Sequence, residues 1–200
     1  MTSVLVQGGW VMVAIVALSL IAWAVMAWKW LTLRDESPGD LDWAEQAVAL
    51  ARRNESAKAS LLCDERSGCL ARVMRSALTI REPSRAYFEK YLQPLLDSES
   101  VRIHRGLMFV QTLGAVAPLL GLLGTVIGMV RTFASVTATG MPETEGMAAG
   151  VSQALVTTQA GLVVGLAIML VHGYLASRAR RCIDTAELYA KKVETAVLHD

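Results

Sequence analysis

Three stretches of this chain, at 8–28, 107–133 and 147–173, each run for more than twenty residues without an acidic side chain. At about 1.5 Å per residue in a helix, roughly 20 residues cross a hydrocarbon core of about 30 Å. Each stretch is therefore long enough to span a bilayer. The overall composition agrees: 54% of the residues are hydrophobic and 18% charged, where a soluble domain has about 45–50% and about 25%. A soluble single-domain enzyme is not what this composition describes.

The charges say which side is which. The 19 Lys and Arg nearly balance the 18 Asp and Glu, leaving +1, so there is no basic footprint for nucleic acid. Nearly all the cations lie in 29–106 and 174–200, and only Arg131 borders an apolar stretch. The first seven residues and the connection 134–146 carry no Lys or Arg, and that connection holds Glu143 and Glu145. The positive-inside rule puts 1–7 and 134–146 outside and the two basic regions in the cytoplasm. Spans at 8–28, 107–133 and 147–173 satisfy every segment. Trp10 at one end of the first span and Trp28 and Trp30 at the other fit an aromatic belt. A cleaved signal peptide is the rival reading of that span. It lacks a preceding basic region and a following small-residue cleavage site, so an uncleaved anchor is expected.

The cytoplasmic parts read as helices. Ser37-Pro38-Gly39-Asp40 is a turn ending in a candidate N-cap, after which Trp43, Ala47 and Leu50 recur at helical spacing. Leu70, Val73, Met74, Ala77 and Leu78 share one face of a second helix. A third begins near Ser84 and presents Tyr87, Tyr91, Leu92 and Leu95. Pro94 is expected to kink it, and no strong stop separates it from the second span, so it reads as one long helix entering the membrane. The tail beyond Gly173 contains no Gly or Pro and reads as a continuation of the third span. The fold class expected is an all-α membrane protein, with three transmembrane helices and long cytoplasmic helical extensions. Cys63, Cys69 and Cys182 fall in the reducing compartment and lack zinc spacing, so no metal and no cofactor are expected.

Within the second span, Gly114, Pro118, Gly121, Thr125, Gly128 and Thr132 lie on one side, at 100° per residue. In the third span, Gly150, Ala154, Thr157, Thr158, Gly161, Gly165 and His172 lie together, with Gln153 beside them. Small residues let helix backbones approach closely in lipid, which makes Gly114, Gly121, Gly128, Gly161 and Gly165 candidate packing positions. The same stripes suit a narrow, weakly polar pore whose threonines hydrogen-bond water or a partner. Packing and pore lining are compatible if each takes part of the stripe.

Residues 117–129, Ala-Pro-Leu-Leu-Gly-Leu-Leu-Gly-Thr-Val-Ile-Gly-Met, resemble the second-span signature of the MotA/TolQ/ExbB proton-channel family. Residues 150–162, Gly-Val-Ser-Gln-Ala-Leu-Val-Thr-Thr-Gln-Ala-Gly-Leu, resemble its third span. Three spans and this length resemble the ExbB/TolQ branch. The resemblance implies a homopentameric ring in the bacterial inner membrane, with a periplasmic N-terminus and a cytoplasmic C-terminus. It also implies an ExbD-like single-span partner supplying an intramembrane aspartate, and a TonB-like protein receiving the force for outer-membrane transport. Thr125 and Thr158 match the family's pore-facing threonines, with Thr157 and Gln153 beside Thr158 on the candidate proton path. Many members carry a glutamate where this chain has Gln153, and an amide cannot carry a proton. No other carboxylate lies in a span, so the acid on any proton path must come from the partner.

Arg131 has two readings: a snorkelling arginine at the outer end of the second span, or a salt bridge to Glu143 or Glu145. His172 reads as an interfacial histidine, and the basic cytoplasmic segments can also attract anionic membrane lipid. A TolQ-like envelope-maintenance subunit and a non-conducting membrane scaffold stay open as alternatives. The chain has no G-x-S-x-G, no H-E-x-x-H, no phosphate-binding glycine loop and no intramembrane catalytic pair, so an enzyme is not expected.

Overall fold

The computed structural model describes residues 9–36, 39–80, 85–139 and 144–198. Every regular element among them is an α-helix: α1 (Gly9–Glu36), α2 (Asp42–Arg52), α3 (Ser56–Asp64), α4 (Cys69–Thr79), α5 (Arg85–His104), α6 (Leu107–Thr139) and α7 (Thr144–Leu198). The helices α1, α6 and α7 are long and apolar enough to cross a membrane. The chain is an all-α membrane protein.

The fold divides into two compact units, 1–28 with 106–173 and 29–105 with 174–200. In the apolar unit, α1 turns Val11, Ile15, Leu18, Ala22 and Met26 inward. That spacing of three or four residues is what a helix needs to keep one face in contact. Leu20, Trp23, Leu119, Val130, Leu155 and Leu170 point outward. In water such a surface would drive aggregation, but in lipid the outward face has no reason to be polar. What holds the helices together is therefore close fit, and the buried positions of α6 and α7 are mostly small.

The polar unit is built on conventional amphipathic faces. Leu70, Val73, Met74, Ala77 and Leu78 of α4 are all buried, as their spacing predicts. In α5 the buried stripe is Phe88, Leu92, Leu96 and Ile103, which keeps Leu92 of the predicted face but leaves Leu95 half-buried. Tyr87 and Tyr91 are exposed and stack on each other, ring centres 6.1 Å apart. Tyrosines one turn apart satisfy each other at a surface, so counting them as core rotated the face by about one residue. Trp30 stacks on Tyr174 at 5.6 Å, and the Arg178 guanidinium lies 5.6 Å from the Trp30 ring centre.

An ion-pair network joins three elements of this unit. Arg72 of α4 forks onto Glu99 of α5 (Nε–Oε1 2.9 Å, Nη2–Oε2 2.7 Å) and also reaches Glu36 Oε2 at 2.8 Å. Arg102 pairs with the other Glu36 oxygen. Burial alone would raise the Glu36 pKa, but hydrogen bonds and charge from Arg72 and Arg102 outweigh it and hold the carboxyl below its ordinary value. Elsewhere in this unit, Tyr189 and Lys192 of α7 both bond Glu45 Oε1 of α2.

Two local expectations change. The helix after Ser84 does not continue into the second span: α5 ends at His104 and α6 begins at Leu107. Gly106 between them adopts φ +88°, a left-handed conformation that ends helices and that side chains with a Cβ disfavour. Pro94 lies inside α5 without ending it. Asp40 is not the N-cap of α2; Leu41 holds that position, and the Asp40 carboxylate accepts the Asp42 N–H at 3.1 Å instead. Ser37 and Pro38 lie outside the described residues. By contrast, α7 runs unbroken from Thr144 to Leu198, so the third apolar stretch and the tail form one helix.

Candidate functional site

Helices α6 and α7 meet along their small residues. Gly114 faces Ile168, Gly121 faces Thr157 and Thr158, and Gly128 faces Gly150 and Ala154, an order that makes the pair antiparallel. The approach is backbone to backbone. A methyl group at Gly161 would stand 2.7 Å from the Ala117 carbonyl oxygen, and one at Gly128 would stand 2.7 Å from the Gly150 oxygen. At Gly165 the obstacle is the Pro118 ring, and at Gly121 the Thr157 oxygen and the Thr158 α-carbon, both at 3.1 Å. Contacts of 2.7 Å are essentially never seen and those of 3.1 Å are tighter than most, so a side chain at Gly128, Gly161 or Gly165 would push the helices apart and one at Gly121 would strain them. In lipid that loses the dispersion energy that holds them together.

The polar groups lie on this same seam. The Thr158 hydroxyl donates to the Gly121 carbonyl of the other helix at 3.1 Å. Thr157 is wholly buried and donates within its own helix, to the Gln153 and Ala154 carbonyls at 3.0 Å. The space it needs is the space that Gly124 leaves open. Thr125 is half-buried and donates to Leu122 of its own helix at 2.6 Å. No hydrogen bond joins Thr125 to Thr158. In each case the hydroxyl proton is spent on a carbonyl, while the hydroxyl oxygen keeps lone pairs able to accept from another donor.

Further along the seam, Arg131 Nη1 donates to Gln153 Oε1 at 3.0 Å. The salt bridge to Glu143 or Glu145 expected as one reading of Arg131 falls on residues whose side chains are not described. The partner the structure shows is Gln153. Gly124, Ala117 and Gly150 are buried in the seam as well, and the Arg131–Gln153 pair was not legible as such. The signal that would have found the pair is register: with Gly128 opposite Gly150 and Ala154, residue 131 of an antiparallel partner falls opposite about 147–151, from where a long arginine side chain reaches Gln153. His172 lies half-buried on α7. Among the described residues, no group of three or more His, Cys, Asp or Glu is placed to hold a metal.

Three apolar helices, two of them packed along glycines and threonines, define an all-α membrane protein built around a close helix pair. The family model for the MotA/TolQ/ExbB proton channel family matches residues 65–188, and the chain belongs to that family. Within it, the chain is 32% identical over 185 residues to the biopolymer transport protein ExbB-like 1 of Synechocystis sp., covering 89% of this chain and 71% of the relative. A second Synechocystis protein, ExbB-like 3, is 31% identical over 170 residues, 82% of this chain and 79% of the relative. The biopolymer transport protein ExbB of Xanthomonas campestris is 34% identical over 80 residues, 40% of this chain and 32% of that protein.

Proposed function

We propose that this chain is an inner-membrane subunit of a proton-motive-force-driven complex, forming the wall of a proton path around an ExbD-like single-span partner. Five copies make the ring, and a TonB-like protein receives the force for outer-membrane transport. The N-terminus and the 134–146 connection face the periplasm, and the basic segments face the cytoplasm beside the inner-leaflet lipid. Family membership supports the reading. The observation that carries it is the state of Thr158: half-buried, with its proton fixed on Gly121 and its oxygen able to accept.

The chemistry follows from that polarity. A carboxyl group that enters protonated can donate to the Thr158 oxygen, and to the equivalent lone pairs of Thr125. Once ionised, it loses that bond and is repelled from an apolar wall. The partner's acid thus prefers this face only in its protonated form. Proton arrival and departure then become changes in where the partner rests. Thr157 supports the seam, and Gln153 supplies hydrogen bonding without titrating. The glycines at 114, 121, 128, 161 and 165 keep the wall thin and rigid.

Native mass spectrometry of the detergent-purified complex, expressed together with a single-span membrane protein carrying an intramembrane aspartate, tests the reading. A ring of five copies holding that partner is the expected result. A monomer or dimer without partner, under conditions that preserve a known ring, would overturn it. That outcome would favour a non-conducting scaffold, a reading supported by the fact that the Thr125, Thr157 and Thr158 protons are all spent inside the helix pair. A TolQ-like role differs only in which protein receives the force.

A further inference from the structure

Gln153 is 7% exposed and is held on two sides. Its carbonyl oxygen accepts from Arg131, and its amide nitrogen lies 2.7 Å from where a Cβ on Gly9 would stand, too close for any side chain there. Gly9 is the first described residue of α1 and adopts φ +62°. The amide is therefore enclosed by α1, α6 and α7 together, and its rotation would break contact with at least one of them. The result is an exposed arginine whose guanidinium is held by one hydrogen bond to an enclosed amide at the end of the α6–α7 seam.

The tether is neutral, and that is its consequence. An acidic residue at 153 would cancel the arginine; the amide orients it and leaves the whole charge in place. In the apolar unit, Arg131 is the one Lys, Arg, Asp or Glu among the residues whose side chains are described. Gln153 lies five residues from Thr158, about 7.5 Å of helix rise. At a separation of about 9 Å and an effective dielectric near 20, a unit charge changes the protonation equilibrium of a carboxyl group by about one pH unit.

We infer that Arg131, oriented by Gln153, is a fixed positive charge that sets the field in which the partner's carboxyl group gains and loses its proton beside Thr158. Gln153 is the positioning residue that holds the charge without neutralising it. The inference rests on the proton-path reading above. A positive charge stabilises the ionised carboxylate, so it moves proton release to lower pH, and removing it moves release to higher pH.

A purely structural tie makes the opposite prediction for one variant, which is what makes the inference testable. Arg131→Gln removes the charge. Gln153→Glu keeps the contact and strengthens it into a charge-assisted pair, but cancels the field. If the field matters, both variants shift in the same direction. If only the tie matters, Gln153→Glu is silent and Arg131→Gln is damaging.

The experiment is proton flux into liposomes containing the complex with its single-span partner, read with a pH-sensitive dye across a range of pH. Native mass spectrometry of each variant reports whether the ring is intact. Arg131→Gln and Gln153→Glu are both expected to move the half-maximal pH upward by about one unit. Arg131→Lys, which keeps the charge, is expected to stay near wild type. Flux in the wild type with Gln153→Glu unshifted would overturn the inference and leave the proton-path reading standing. An absence of partner-dependent flux in the wild type would overturn the proton-path reading and this inference with it.

Discussion

The hydroxyl of Thr158 and the backbone carbonyl of Gly121 are joined across two membrane helices by one 3.1 Å hydrogen bond. The bond exists because position 121 has no side chain, which lets the two backbones come close enough for a threonine to reach. Packing and polarity are thus the same feature at this point of the seam. A glycine makes the contact, and the contact decides which way the hydroxyl faces.

Replacing Thr158 with Val keeps the volume and removes the bond. An interhelical hydrogen bond in a membrane contributes about 0.6 kcal/mol on average, too little to unfold the pair. Assembly is expected to persist while proton flux and transport-dependent growth fall about tenfold, corresponding to roughly 1.4 kcal/mol in the transport step. Thr158→Ser is expected to retain most of the activity. Full activity in the Val variant would remove Thr158 from the path.

Gly121→Leu should behave in the reverse manner. Its side chain would collide with the Thr157 carbonyl and the Thr158 backbone, both 3.1 Å from the first added carbon. The helices must separate, so the amount of assembled complex is expected to drop severalfold in size-exclusion profiles. Gly173→Ala serves as a control, since no atom lies within 4 Å of the added methyl. A normal ring from the Leu variant would show that this stripe is not a packing face.

Arg72 links Glu36 and Glu99 in the polar unit, and its loss would take the forked partner from a buried carboxylate, Glu99, and one of two partners from the half-buried Glu36. Arg72→Met is expected to cost about 2 kcal/mol, below the figure for a fully buried pair because the arginine is partly exposed. The check is the thermal midpoint of the detergent-solubilised protein, and no change would show that the network contributes nothing to stability.

Acid should weaken the same network. Glu36 has its folded pKa held below the ordinary value, so its contribution is present at neutral pH. That contribution is lost as the pH falls below about 4.3 and through the folded value. Melting measured from pH 7 down to pH 3 is expected to show a declining limb below about pH 4, shallower in Glu36→Gln. Identical limbs in the two proteins would mean that Glu36 does not drive the acid response.

Cys63 and Cys69 are buried, and burial pushes their thiols up, to about 11 and about 12. At pH 8 almost none of either is thiolate, and neither is reachable. Maleimide labelling of the folded protein is expected to be slower than labelling in denaturant by at least tenfold at these two positions. Rapid labelling of the native protein would show that the polar unit opens readily.

Most of the fold is legible in the chain because lipid simplifies the reading. An apolar run of the right length has few alternatives to a spanning helix, and the small residues on α6 and α7 stand at spacings that identify the contact face before any partner is seen. Leu70, Val73, Met74, Ala77 and Leu78 were legible for the ordinary reason, a clean periodicity. The α5 face was misread because Tyr87 and Tyr91 count as apolar in a pattern yet stack at a surface. The break before α6 was missed because a lone glycine carries no length signal, and only a left-handed backbone at Gly106 shows that it ends a helix.

Composition and periodicity, which are properties of single segments, determined that this chain has three spanning helices and which sides of two of them are small. What only the tertiary structure decided is which residues meet. The Thr158–Gly121 bond, the Arg131–Gln153 contact closed by Gly9, and the Arg72 fork each join positions at least 22 residues apart. Their pairing depends on register between helices. Register is set by the sum of many weak contacts along a seam, and no local pattern in the chain carries that sum.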